Sequence, residues 1–385
     1  MKVLIAGDFC PHDRIVSLIE EERYAEIWKD IPGITQSVDY SILNLECPIV
    51  WHQAEPIPKC GPNLKCTAKA ADAIKYAGFD CVTLANNHFY DYGEVGVADT
   101  IGTLTLQGID YVGGGVDLKD SSKILYKSIA GKKLAIINCC EHEFSIATEI
   151  SGGSNPLNVV QQYYAIQEAK KNADNILVIV HGGVELFWLP SKRMIETYRF
   201  FIDAGADAVV NHHQHCYSGY EVYKGKPIFY GLGNFCFDGG SIGNGERWTS
   251  GFMAEIEFGN EDVKYVLYPY RQCAELPEVK LMEGSDLNEF NERLRVYNSL
   301  ITDDIAREKE YQKWCEQTES IFKTAINPCY NRFSKFFFDS SYGMKFLNAR
   351  KLLRTLNVIM NESHVERLLI MVNRMTQDSK SKKFR

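Results

Sequence analysis

A chain of 385 residues with 45% hydrophobic and 24% charged residues has the composition of an ordinary globular protein, which excludes disorder on a large scale. That length exceeds one hydrophobic core, so a large domain plus an accessory segment is expected. The net charge of −8 argues against a surface that attracts nucleic acid or anionic lipid as a whole, although the chain divides unevenly: residues 1–284 carry a net −13 and residues 285–385 a net +5.

The first element is a strand, Val3-Leu4-Ile5-Ala6, running into Gly7-Asp8, followed by an amphipathic stretch with Ile15, Leu18 and Ile19 on one face. A second strand, Ser41 to Leu45, carries Asn44 and ends on Glu46. The spacing predicts a helix over 67–76, closed by Gly78, then a strand from Cys81 into Asn86-Asn87-His88. A helix over 94–107 precedes Tyr111-Val112, and a strand over 134–139 precedes a helix over 160–173. The strand over 176–180 ends on His181. A helix over 192–204 leads to Ala208-Val209-Val210 and so to Asn211-His212-His213-Gln214-His215. Beyond residue 220 the pattern turns to hairpins: 220–223 with 228–230 around Lys224-Gly225-Lys226-Pro227, and 252–258 with 263–268 around Gly259-Asn260. This alternation predicts a layered α/β domain with sheets covered by helices.

From about residue 285 helical periodicity takes over, broken at Asn327-Pro328 and over 340–343. Leu287, Phe290, Leu294 and Leu300 form one apolar stripe; Leu352, Leu356, Ile359, Leu368 and Met371 form another. The basic end, 379–385, is expected to fray. No candidate catalytic cluster is legible in this part. Its basic excess reads as a solvated face, with a partner, a membrane surface or an anionic polymer as the alternatives.

The twelve cysteines are scattered without a Cys-x-x-Cys pair, several inside strand patterns, so they read as small buried hydrophobes in a reducing compartment. The chain enters a strand at Lys2 and leaves no room for a signal peptide, and no stretch approaches the roughly 20 apolar residues of a membrane span. A cytoplasmic location is expected.

Five apolar runs thus end in side chains able to hold a metal. In open α/β sheets the groups just past the carboxyl ends of the strands line the ligand crevice, so one crevice can collect all five. His213 and His215 lie beyond their strand, where the period-two alternation that separates neighbours no longer applies, and both can reach one dinuclear centre. His181 is followed by Gly182-Gly183, which allows close backbone approach. Asn87 offers an amide oxygen, and His88 is placed to act as an acid or to bind an anion. Asp91 can orient His88 by a hydrogen bond. Asp8 and Glu46 supply carboxylates, one of which can bridge two cations and so acidify a bound water.

Gly7-Asp8, Asn44-Leu45-Glu46-Cys47-Pro48, Leu84-Ala85-Asn86-Asn87-His88 with Asp91-Tyr92-Gly93, His181-Gly182-Gly183-Val184-Glu185, Gly205 to Val210 running into His212-His213-Gln214-His215, and Tyr223 to Asp238 with Gly231-Leu232-Gly233-Asn234 resemble, in order over about residues 1–270, the signatures of the CapA family of poly-γ-glutamate capsule synthesis proteins. That family is similar to the calcineurin-like metallophosphoesterases. The resemblance implies a four-layer fold with two β-sheets between helices over residues 1–275, followed by a helical extension over 285–385. It implies Asp8, Glu46, Asn87, His181, His213 and His215 as ligands of one or two divalent cations (Mn, Fe, Zn or Mg), and His88 with Asp91 as the catalytic pair. Asn86, Glu185, His212 and Asn234 are candidates for substrate binding. The chain departs from the superfamily pattern at Cys10, where a histidine is usual, and at Glu46, where aspartate is usual. His181-Gly182-Gly183 and His212-His213-Gln214-His215 replace His-Trp-Gly and His-His-Pro-His.

The function implied is a metal-dependent hydrolase in capsule, poly-γ-glutamate or exopolysaccharide synthesis, with metal-activated water attacking an amide or a phosphoester. Its partners would be an anionic polymer or a phosphorylated glycan precursor and other capsule-synthesis proteins, with no nucleic acid. The alternatives are a non-catalytic capsule assembly factor that binds anionic polymer, and a general metallophosphodiesterase.

Overall fold

β1 (Lys2–Phe9) is buried from Val3 onward, and its side chains part by simple alternation. Val3 and Ile5 enter an apolar layer shared with Leu134, Ile136, Leu177, Ile179 and Val210 of a second sheet. Leu4 and Ala6 point the other way, into a layer with Ile15, Leu18, Trp28, Ile74 and Leu104. The structure is a computed structural model that describes residues 1–239, 245–259, 263–318 and 349–382.

In the first sheet β1 lies between parallel β2 (Tyr40–Leu45) and antiparallel β14 (Ser250–Phe258). β3 (Cys81–Thr83) and β4 (Asp110–Val112) extend it in parallel beyond β2. β15 (Val263–Gln272) and β16 (Val279–Leu281) extend it antiparallel beyond β14, and β13 (Asn234–Cys236) adds in parallel at the end of β1. The second sheet runs β11 (Tyr220–Tyr223), β12 (Lys226–Phe229), β10 (Ala208–His212), β9 (Asn175–His181), β7 (Lys132–Cys140), β6 (Leu125–Ile129). Its four inner strands are parallel, and both edges close as antiparallel hairpins. A two-stranded ribbon pairs β5 (Gly114–Gly115) with β8 (Gly153–Ser154).

Helices Arg14–Glu20, Lys69–Tyr76 and Gly93–Gln107 cover the outer face of the first sheet. Helices Val159–Asn172, Lys192–Ala204 and Asp304–Gln317 cover that of the second, where Ile166, Met194, Tyr198, Phe201 and Tyr311 pack on Val178, Val180 and Val209. Helix, sheet, sheet and helix make the four layers that the resemblance implied. Local rules account for the boundaries: Asn158 and Ser191 cap their helices by accepting backbone N–H groups, and Gly78, at φ 83°, follows the helix Lys69–Tyr76 in the left-handed conformation.

Helix Gly284–Thr302 inserts Phe290 and Leu294 into the layer between the sheets. Helices Ala349–Met360 and Glu362–Lys382 meet through Val358, Leu368 and Met371. The last of these continues to Lys382, so residues 379–382 are helical where fraying was expected. Asn327-Pro328, residues 340–343 and residues 383–385 lie outside the described residues. Among the described residues no helix is long and apolar enough to cross a membrane, and no disulfide forms; the described cysteines are free thiols, nearly all buried.

Candidate metal centre

Every predicted cluster comes from the carboxyl end of a parallel strand, and the two sheets bring those ends face to face. Asp8 is the penultimate residue of β1 and Glu46 follows β2. Asn86, Asn87 and His88 follow β3, His181 is the last residue of β9, and His212 is the last of β10. Two backbone features allow the convergence. Gly7 has no room for a side chain, since a Cβ there would lie 1.9 Å from the Gly233 carbonyl oxygen, and that closeness lets the Asp8 N–H donate to it at 3.2 Å. Past β10, His213 and His215 adopt positive φ of 89° and 54°, costly for residues with a Cβ and typical of backbone held in place for function.

His181 Nε2 is 3.0 Å from Asn87 Oδ1, 3.1 Å from His213 Nδ1 and 3.6 Å from Glu46 Oε1. His215 Nε2 approaches the same oxygen, 3.6 Å from Glu46 Oε1, and His215 Nδ1 is 3.8 Å from Asp8 Oδ2. Two donor sets follow, Glu46–His181–His213 and Asp8–Glu46–His215, each with its ligand atoms within 4.8 Å and sharing Glu46. Ligands about 2.0–2.2 Å from one ion stand about 3–3.6 Å apart, so these spacings fit a cation between them.

The electrostatics point the same way. Glu46 is fully buried, and neither carboxylate oxygen has a hydrogen-bond partner among the described residues. Burial, reinforced by the charge of Asp8, pushes its pKa well above the ordinary carboxylate range. Burial also works to raise Asp8, but the closeness of His212 and the charges of His181 and His215 outweigh it and hold that carboxyl below its ordinary value. Burial keeps the imidazoles of His181 and His213 below their ordinary pKa. Neutral imidazoles around an unpartnered acid are the donor set a divalent cation requires. Mixed nitrogen and oxygen donors suit Mn, Fe or Zn.

Supporting contacts orient the donors. Asn44 Nδ2 donates to Asp8 Oδ1 at 2.8 Å, and Asn234 Oδ1 lies 2.9 Å from His215 Nδ1. Asn86 spends its side chain on the Leu45 carbonyl and the His88 N–H, shaping the turn after β3. His212 Nδ1 lies 3.3 Å from Asp8 Oδ1, off the line of a good hydrogen bond. His88 Nδ1 is 2.7 Å from Asp91 Oδ2, and Asp91 also binds Lys59 Nζ and accepts the Leu64 N–H. Glu185 is solvent-exposed, beside His213, His215, His364 and His88.

Several residues at the site escaped sequence reasoning. Lys59 sits in an irregular loop with no periodicity. Glu141 and Glu143 follow β7, and the strand-end rule reaches them once that strand runs to Cys140 rather than Cys139. From the helical part, to which no role at the site had been assigned, Asn361 and Ser363 bind Glu143 and Glu141.

The four-layer sandwich and the acid–imidazole cluster at its strand ends define an α/β protein with a candidate metal centre. Within that class the chain belongs to the family described as Bacterial capsule synthesis protein PGA_cap, which matches residues 2–239. It is 33% identical over 248 residues to Capsule biosynthesis protein CapA of Bacillus anthracis, covering 62% of this chain and 60% of that one. It is likewise 33% identical over 231 residues to PGA biosynthesis protein CapA of Bacillus subtilis (strain 168), covering 59% of this chain and 61% of that one. The chain thus matches about three-fifths of the length of these relatives. A crystal structure of a hypothetical protein from Thermus thermophilus is similar at TM-score 0.47 and 16% identity, over 70% of this chain and 99% of that one.

Proposed function

We propose that the protein is a metal-dependent hydrolase of capsule or poly-γ-glutamate synthesis, acting on an amide or phosphoester of an anionic polymer or a phosphorylated glycan precursor alongside other capsule-synthesis proteins. The observation that carries this reading is Glu46: a buried carboxylate without a hydrogen-bond partner among the described residues, midway between His181 and His215. In this reading Asp8, Glu46, Asn87, His181, His213 and His215 hold one or two divalent cations. A cation there supplies a Lewis acid and lowers the pKa of a water. Asp91 fixes His88 through Nδ1, which leaves Nε2 for the substrate. Burial lowers the His88 pKa, and Lys59 adds to that effect while Asp91 opposes it. The ring therefore rests neutral with its proton on Nδ1 toward Asp91, so Nε2 meets the substrate as an acceptor and gives a proton to the leaving side only after taking one up. Glu185 and His212 line the approach to the donors.

The test is turnover of a panel of phosphoesters and γ-glutamyl peptides by protein loaded with Mn²⁺, Fe²⁺ or Zn²⁺. Hydrolysis lost in His88→Ala is the expected result, and the responsive substrates identify the scissile bond. Polymer binding that is indifferent to His213→Ala, with no turnover of any substrate, replaces the hydrolase with an assembly factor. Turnover of phosphoesters alone favours a general phosphodiesterase.

A further inference from the structure

We infer that the helix Glu362–Lys382 is a clamp on the candidate metal centre, its docking and cation binding being coupled; the inference rests on reading the cluster as a cation site. The link is Glu141, a buried carboxylate at the end of β7. Its Oε1 accepts the Gly183 N–H at 3.1 Å, Arg193 Nη2 at 2.5 Å and the Ser363 hydroxyl at 3.2 Å; its Oε2 accepts the Ser363 N–H at 3.3 Å. Two of these donors belong to the clamp helix. The Glu141 N–H donates to the His181 carbonyl at 3.0 Å, so Glu141 grips the turn from His181 to Gly183 at both ends. Gly182, within that turn, is closed on Glu141: a Cβ would lie 2.6 Å from its Cγ. Ser363 therefore holds, through the Glu141 side chain, the Gly183 end of the turn that begins at His181.

Two more contacts fasten the helix nearby. Glu362 receives the His142 N–H at 2.8 Å and lies 2.6 Å from His142 Nδ1, and Asn361 Nδ2 donates to Glu143 at 2.9 Å. Val358, Leu368 and Met371 pack the helical pair together and Ile370 rests on the layer outside the second sheet, while Leu352, Leu356, Ile359 and Leu369 are exposed. An element with much of its apolar surface exposed opens at low free energy, and an element that completes a binding site is in turn stabilised by what binds there.

The experiment is hydrogen exchange of the full chain with and without Mn²⁺, together with calorimetric Mn²⁺ affinities of the wild type, Ser363→Ala and Ser363→Thr. Saturating Mn²⁺ is expected to slow exchange over residues 361–372 several-fold. Ser363→Ala is expected to weaken Mn²⁺ binding by about tenfold, as for loss of an outer contact to a ligand, and Ser363→Thr to restore it. Glu362→Gln, which alters only the contact to His142, should give a smaller loss. Stoichiometric Mn²⁺ binding with exchange over 361–372 unmoved and Ser363→Ala at wild-type affinity overturns the clamp while leaving the cation site standing. Absence of stoichiometric binding by the wild type overturns both.

Discussion

His181 Nε2 and His213 Nδ1 face each other at 3.1 Å in the interior, with burial holding both rings below their ordinary pKa. Two neutral imidazoles at that distance share either a proton or a cation, and the nearby Glu46 and Asn87 oxygens favour the cation. Metal-stripped protein is therefore expected to bind Mn²⁺ stoichiometrically. At a hundredfold excess over Kd the ion adds about 2.7 kcal/mol of stability. His213→Ala, which deletes a ligand, should lose more than the ~10–100-fold that outer contacts control. Calorimetry and a thermal melt with and without the ion measure both effects.

Glu46 makes the metal-free protein less stable than it could be. Its pKa in the folded state is raised above the ordinary value of 4.5, so the folded protein holds a proton there that the unfolded chain releases. The sign follows: stability contributed by protonated Glu46 is present below about pH 4.5 and is lost as pH rises toward the raised value. At neutral pH Glu46→Gln should stabilise the metal-free protein by about 1–3 kcal/mol while removing most of the stabilisation by Mn²⁺. Urea unfolding at pH 7 of both proteins, each with and without the ion, decides it; a destabilised metal-free Gln variant contradicts the assignment.

Gly7→Ala is expected to cost about 3–5 kcal/mol, because its Cβ would fall 1.9 Å from a backbone oxygen that has no rotamer to escape into. Equilibrium unfolding should show the loss. Gly33→Ala, with nothing within 4 Å of the added carbon, is the control and should stay within about 0.5 kcal/mol.

The His142–Glu362 pair gives the last helix a pH dependence. Hydrogen bonding to Glu362 raises the His142 pKa above 6.5, so its contribution is full below that value and fades as pH climbs through the raised one. Burial acts to raise the Glu362 pKa, but His142 prevails and lowers it, so that contribution is present above about 4.5 and is lost in acid. Hydrogen exchange over residues 361–372 should be slowest between about pH 4.5 and 6.5, once corrected for the intrinsic rate. His142→Ala should flatten the alkaline side of the profile.

Asp8, Glu46, His181, His213 and His215 were legible in the sequence because each stands at or within a few residues of the end of an apolar run, and a parallel strand's end is a fixed place in space. Asn44 was harder to single out, being inside a strand and holding Asp8 from a neighbouring position in register. Lys59 reaches Asp91 from a loop with no repeating pattern. Ser363 meets Glu141 across 222 residues, a contact that depends on how a late helix docks rather than on any local preference. Propensity and periodicity describe single elements; docking is decided by the whole surface.

β1 is synthesised before its sheet neighbours, yet its antiparallel partners are Ala254 to Glu257, and Gly233 and Asn234 close on its end. A growing chain leaving the ribosome thus carries Asp8 and Glu46 long before His213 and His215 exist to join them. The donor set is complete only after translation has passed His215, and the first sheet only after β14 and β15 have followed, so the candidate cation site closes on folded sheets and not on a loose acidic segment.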